Sequence, residues 1–152
     1  MQACVSRPMI TQLFHADFKH HIQALNTLTE CVDTLKDATM ASLDVLLKYV
    51  TIRFFDTNTS VIVKVLQYLK ALFTCMAEED LSLRDHEASS FIPYLISKVG
   101  DNKENIRKDV RAVMRLLTKV YPSSKMFGFI MDGLKSKNSR QRTECLEELG
   151  CL

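Results

Sequence analysis

The sequence predicts an all-α fold of stacked antiparallel helix pairs, and three observations carry that prediction. Apolar residues recur at helical spacing along nearly the whole chain. Helix breakers are scarce, with 4 Gly and 3 Pro in 152 residues, which favours long helices. A two-helix pattern also repeats, with shared chemistry in its turns. Hydrophobic residues make up 47% of the chain, enough to pack a core rather than remain disordered.

The repeat is read from four reference positions, His21, Ile62, Arg107 and Arg142. Three and seven residues after each come Ala24 and Leu28, Val65 and Leu69, Val110 and Met114, and Cys145 and Leu149. All are apolar, and those offsets share one helix face. Ten residues on, the stripe continues with Cys31, Leu72, Leu117 and Leu152. Eight residues before each reference stand Leu13, Phe54, Val99 and Leu134, and twelve before stand Met9, Val50, Leu95 and Ile130. The references lie 41, 45 and 35 residues apart. Two helices recurring about every 40–47 residues point to a HEAT or armadillo-like α-α superhelix, and two helices per unit favour HEAT.

The elements follow in order as about four hairpins, roughly 5–34, 39–78, 84–120 and 123–152, in a single domain spanning 1–152. The second hairpin begins with "MASLDVLLKYVTIRFF", the best membrane candidate by eye. Asp44, Lys48 and Arg53 interrupt it well short of the ~18–20 apolar residues a spanning helix needs. Its turn, "DTNTSVI", is matched by "DNKENIR" and "SKNSRQR" in the third and fourth hairpins. Asp56 and Asp101 are expected to accept from the exposed amides of the following helix, and Asn58 and Asn138 suit a backbone that must turn. The links "AEEDLSLRD" and "VYPSSK" are short and polar, and Pro122 suits the boundary between two helices. In such a stack the intra-hairpin turns line up along one edge, a surface suited to a large partner.

Net charge is only +2 but unevenly placed. From Lys98 to Arg142 twelve basic residues face four acidic ones, Asp101, Glu104, Asp109 and Asp132. That bias fits a partner with an acidic face. Cys4, Cys31, Cys75, Cys145 and Cys151 form no CxxC, and no secretory signal precedes them, so they read as small core hydrophobes in a reducing compartment. Phe54, Phe55, Phe91, Phe127 and Phe129 read as core, with Phe55 the exception near a turn. His15, Asp17, His20 and His21 match no zinc spacing. The chain has no GxxxxGK[ST], GxSxG or HExxH. No metal, cofactor or catalytic activity is expected.

These residues resemble a known family. "DFKHHIQALNTLTECVD" resembles the opening of a TOG domain, where an aromatic and a lysine begin the second helix of the first HEAT repeat. "FFDTNTSVIVKVLQYLKALF", "KVGDNKENIRKDVRAVMRLL" and "GLKSKNSRQRTECLEEL" resemble its second, third and fourth repeats. The likeness covers essentially the whole chain and is greatest to an internal TOG domain, the fourth, of the vertebrate multi-TOG microtubule polymerase family. It implies a paddle of six HEAT repeats, of which about four are present, holding αβ-tubulin along the turn edge. It also implies microtubule, spindle and centrosome localisation in the cytoplasm and a role in microtubule growth. Other spindle or centrosome proteins would be further partners, and neither membrane nor nucleic acid would be involved.

Carried over by position, the tubulin contacts are Phe18 and Lys19 in the first turn. Asp56, Asn58, Thr59 and Val61 follow in the second, Lys103, Asn105 and Arg107 in the third, and Lys137, Asn138 and Arg140 in the fourth. Phe18 stands where related domains usually carry Trp. The stripe Cys145, Leu146, Leu149 and Leu152 runs to the last residue, so the native protein is expected to continue beyond it. The competing expectation is a HEAT scaffold that docks other proteins without touching tubulin.

Overall fold

In a computed structural model, which describes residues 6–152, the described residues form helices joined by turns, with no strand among them. The first hairpin pairs α1 (Arg7–Leu13) with α2 (Phe18–Thr34). The second pairs α3 (Lys36–Ala41) and α4 (Leu43–Arg53) with α5 (Thr59–Glu78). The third joins α6 (Asp85–Ser97) through a 3-10 turn, Lys98–Gly100, to α7 (Glu104–Val120). The fourth pairs α8 (Ser123–Gly133) with α9 (Ser139–Leu149). This is the helical solenoid that the periodicity predicts.

Two layers result. The second helices stack as α2, α5 and α7, and the first helices as α4, α6 and α8. Between them lies one continuous core in which Leu28, Val50, Val65, Leu69, Leu95, Val110 and Leu117 are buried. These are the positions the repeat offsets select. The offsets fail toward the C-terminus, where Leu134 and Leu149 are only half-buried and Leu152 is exposed.

Several expectations need correction. The first arm of the second hairpin is not one helix: at Ser42 (φ −106°, ψ 7°) the chain leaves helical geometry between α3 and α4. One helix does reach membrane-spanning length and composition, which the sequence reading denied. It is α5, 20 residues long with a mean hydropathy of 1.4. Its apolar face is spent on α2 and α7. Among the cysteines, Cys75 and Cys145 are buried, Cys31 is half-buried, and Cys151 is exposed at the end of the last helix. Cys4 lies outside the described residues. Phe127 is exposed and Phe129 half-buried, because α8 is an outer helix with a narrow apolar face.

Gly100 marks a close approach of backbone between the third and fourth hairpins. A Cβ there would lie 2.9 Å from the Asn138 side chain, from Gln141 Cβ and from the Gln141 backbone nitrogen. The last of these cannot swing aside. Gly100→Ala is therefore expected to cost about 1–3 kcal/mol by forcing the third and fourth hairpins apart, measured as a lower urea midpoint.

Glu148 of α9 is buried. Burial pushes its carboxyl above the ordinary value of 4.5, against a smaller opposing pull from Arg115 and Arg111. A raised folded pKa means that the folded chain holds the proton more tightly than the unfolded chain. This group's contribution to stability therefore falls as pH rises from the unfolded value through the folded one. Glu148→Gln is expected to raise the Tm at neutral pH and to leave it nearly unchanged below the ordinary glutamate pKa, as thermal melts across pH would show.

Candidate functional site

Three of the four turns share a construction that begins at the ends of the first helices. A helix leaves its last carbonyls without intrahelical partners. In the third and fourth hairpins an arginine one turn into the next helix reaches back to the carbonyls of the connecting turn. Arg107 Nη1 donates to the carbonyls of Asp101 (2.8 Å) and Asn102 (3.2 Å). Arg142 Nη1 donates to those of Ser136 (2.8 Å) and Lys137 (3.1 Å). In the first hairpin His21 takes the same place, with Nε2 2.6 Å from the His15 carbonyl. A carbonyl can only accept, so Nε2 carries the proton and Nδ1 accepts from Arg53 Nη1 at 2.7 Å. Three of the four sequence reference residues are thus turn clamps. The fourth, Ile62, has no polar group to offer and is buried.

The amides at the starts of the second helices are capped in register. Asp17, Asn58 and Asn138 accept from the amides of Lys19 (3.0 Å), Ser60 (2.9 Å) and Arg140 (3.0 Å). At the equivalent place the third turn carries Lys103, which makes no side-chain cap. Asp101 accepts from the Lys103 amide instead, at 2.9 Å. The expected cap by Asp56 does not form. Asp56 turns back toward Arg53 (3.4 Å) and His21 (3.8 Å), so Asn58 does the capping.

Neighbouring turns are also tied to one another. His21 and Arg53 join the first to the second. Lys103 Nζ donates to Thr59 Oγ1 at 2.5 Å, joining the second to the third. Asn138 Nδ2 donates to the Gly100 carbonyl at 3.3 Å, and Arg140 Nη1 to Asn102 Oδ1 at 3.1 Å, joining the third to the fourth. The turns therefore form one ridge.

The sequence-derived candidates divide on this ridge. Phe18 is 39% exposed at the first position of α2. Lys19, Lys103, Asn105, Lys137 and Arg140 are exposed. Val61 must be withdrawn as a contact: it is fully buried, because it sits on the core side of α5 beside Ile62. Arg107 is likewise committed inward, to its own turn and to Glu144 at 3.4 Å. Asp56 is ion-paired, Asn58 and Asn138 serve as caps, and the half-buried Thr59 accepts from Lys103. Lys103, Lys137 and Arg140 have no carboxylate within ion-pair distance among the described residues, and their polar contacts are with neutral groups only. The histidine cluster is also occupied: His15 Nδ1 accepts from the Asp17 amide at 3.0 Å, and the His15 and His20 rings pack 3.9 Å apart.

Sequence reading set Phe55 apart from the core, as the structure does, but missed Phe14 and the row the two form beside the ridge. Phe14 and Phe55 are 64% and 71% exposed. Each stands seven residues before its hairpin's reference, a signal that one more offset in the repeat comparison would have caught.

No family model matches the chain. Protein mini spindles of Drosophila melanogaster is 45% identical over 98% of the chain, and Zygote defective protein 9 of Caenorhabditis elegans is 41% identical over 95%. The chain spans 7% and 10% of those two proteins. A solved structure described as "TOG domain structure from C.elegans Zyg9" superposes with a TM-score of 0.86 at 40% identity. It covers 91% of this chain, which in turn spans 52% of it. The chain belongs to the TOG-domain family. A second solved structure, described as "TOG-tubulin binding specificity promotes microtubule dynamics and mitotic spindle formation", superposes with a TM-score of 0.92 at 44% identity. It covers 95% of this chain, which spans 58% of it. The stacked turns of this TOG segment are its candidate binding edge.

Arg107 is the test of how that edge is built. Its guanidinium serves two turn carbonyls and a carboxylate at once, which a lysine ammonium cannot do. Arg107→Lys is expected to cost about 1–3 kcal/mol and to raise amide hydrogen exchange across 100–105, while Lys108→Arg at the exposed neighbouring position leaves both unchanged.

Proposed function

We propose that this chain is a tubulin-binding module of a microtubule polymerase, acting in microtubule growth and spindle organisation. In this reading it works by binding and orienting a partner, without a chemical step. It grips αβ-tubulin along the ridge of intra-hairpin turns and acts where microtubules grow, in the cytoplasm, on the spindle and at centrosomes.

The observation that carries the reading is the set of exposed cations without carboxylates, Lys103, Lys137 and Arg140, on a ridge where Arg107, Asn58 and Asn138 are committed to clamps and caps. Several basic residues elsewhere are paired, Lys70 with Asp109, Arg111 with Glu144 and Lys125 with Asp85, whereas these three ridge cations are not. Lys103 even replaces a capping residue, giving up an interaction worth about 1 kcal/mol. A local rule broken at an exposed, repeated position marks a surface shaped by something other than stability. Three unpaired cations in a row fit an acidic protein surface, steering it in and fixing its orientation. The relative whose description names TOG–tubulin binding supports the choice of partner.

Charge reversal at all three positions, Lys103→Glu, Lys137→Glu and Arg140→Glu, is expected to weaken tubulin binding at least tenfold. Co-migration with purified αβ-tubulin on size exclusion at low salt reads the loss, and wild-type binding should fall steeply as salt rises. Unchanged co-migration of the triple variant would sink the reading.

A further inference from the structure

Phe14 and Phe55 occupy equivalent places one repeat apart, each just past the end of a first helix and beside its turn. Each meets a tyrosine of the next repeat in the same way. Phe14 lies edge-on to Tyr49 with ring centres 5.9 Å apart and planes at 75°, and Phe55 lies edge-on to Tyr94 with the same distance and angle. Both tyrosines are themselves placed identically, thirteen residues before their references. An edge contact fixes a ring's orientation without covering its faces. The two phenylalanines accordingly remain the most exposed large apolar side chains among the described residues, at 64% and 71%. Tyr94 itself is 40% exposed, so the second pair extends the apolar surface down α6.

The corresponding places in the third and fourth hairpins are Gly100 and Lys135. The aromatic row therefore ends at the turns that carry Lys103, Lys137 and Arg140. Near it the basic residues of the second hairpin are neutralised, Arg53 by Asp56 and Lys48 by Asp44. The edge is thus graded: largely apolar beside the first and second turns, apart from the exposed Lys19, and more densely cationic at the third and fourth.

We infer that Phe14 and Phe55, held edge-on by Tyr49 and Tyr94, form an apolar contact row that widens the tubulin-binding edge onto the first-helix flank. The row takes an apolar patch of the same partner, adjacent to the acidic patch met by Lys103, Lys137 and Arg140. This inference rests on the proposed binding of tubulin at the turns. Continuity with those turns and the complementary division of charge select that occupant. The two halves would also set the partner's direction along the ridge, because an apolar patch and an acidic patch can each meet their match in only one sense.

The test titrates the labelled chain with αβ-tubulin at several salt concentrations, for wild type, for Phe14→Ser with Phe55→Ser, and for the charge-reversed triple variant. Both phenylalanines are largely exposed, and circular dichroism with thermal melts verifies that the double variant folds. The expected result is binding at least about fivefold weaker for the double variant, with the salt slope of wild type retained, whereas the triple variant flattens that slope. Wild-type affinity in the double variant, with binding lost in the triple variant, overturns the aromatic row and leaves the turn reading standing. Absence of binding by wild type, or full binding by the triple variant, overturns the tubulin reading itself. A double variant that keeps tubulin affinity but loses self-association on sedimentation overturns the inference in favour of a contact between copies. Should the double variant melt early, Phe55→Leu keeps apolar area at the site, and its failure to bind more tightly than Phe55→Ser also overturns the row.

Discussion

The hydrogen bond from a second-helix side chain back to the carbonyls of its own turn is the constraint on which this molecule depends. A tight hairpin between antiparallel helices strands several carbonyls at the surface, and water alone would leave the turn free to vary. His21, Arg107 and Arg142 remove that freedom in three hairpins. Each turn then leaves the stack at a defined angle, and the next can pack against it. Gly100, Asn138 and Gln141 meet so closely that no side chain fits at position 100. Without fixed turns the helix layers would still bury their apolar faces, but their edge would not be a continuous surface.

The ridge divides its labour between groups that build it and groups that face outward. Arg107, Asn58, Asn138 and Asp56 are spent on clamps, caps and an ion pair. Lys103 and Arg140 each give a bond to a neutral group of the neighbouring turn, yet with Lys137 they keep their charge unpaired and facing outward. Buried-side satisfaction and outward-facing charge come from the same short segments, often from adjacent residues. The second hairpin departs from the pattern, since Ile62 cannot clamp. His21 compensates by joining its own turn to Arg53, so that one imidazole orders two turns.

Much of this was legible in the sequence, for a physical reason. Burial along a helix depends on periodicity, so the offsets from His21, Ile62, Arg107 and Arg142 found Val65, Leu69, Val110 and Leu117 in the core without any coordinates. The same offsets named the clamp residues as landmarks without revealing their work, because a clamp depends on where a carbonyl six residues back happens to point. Val61 shows the limit from the other side. It was assigned by position in a motif to the contact edge, yet one step around the helix from the turn is enough to bury it fully.

The sequence by itself determined the all-α class, the stacking of hairpins, the cationic bias of the second half and the TOG resemblance, since each follows from composition or from spacing along one chain. Only the tertiary structure decided which turn residues are free. Whether Arg107 or Arg140 faces a partner depends on which oxygens the neighbouring turn supplies, and Asn102, Glu144 and Thr59 come from other parts of the stack. The exposed pairing of Phe14 with Tyr49 and of Phe55 with Tyr94 belongs to the same class of fact. It joins residues from successive repeats, and their distance is set by how the hairpins pack rather than by anything local to either one.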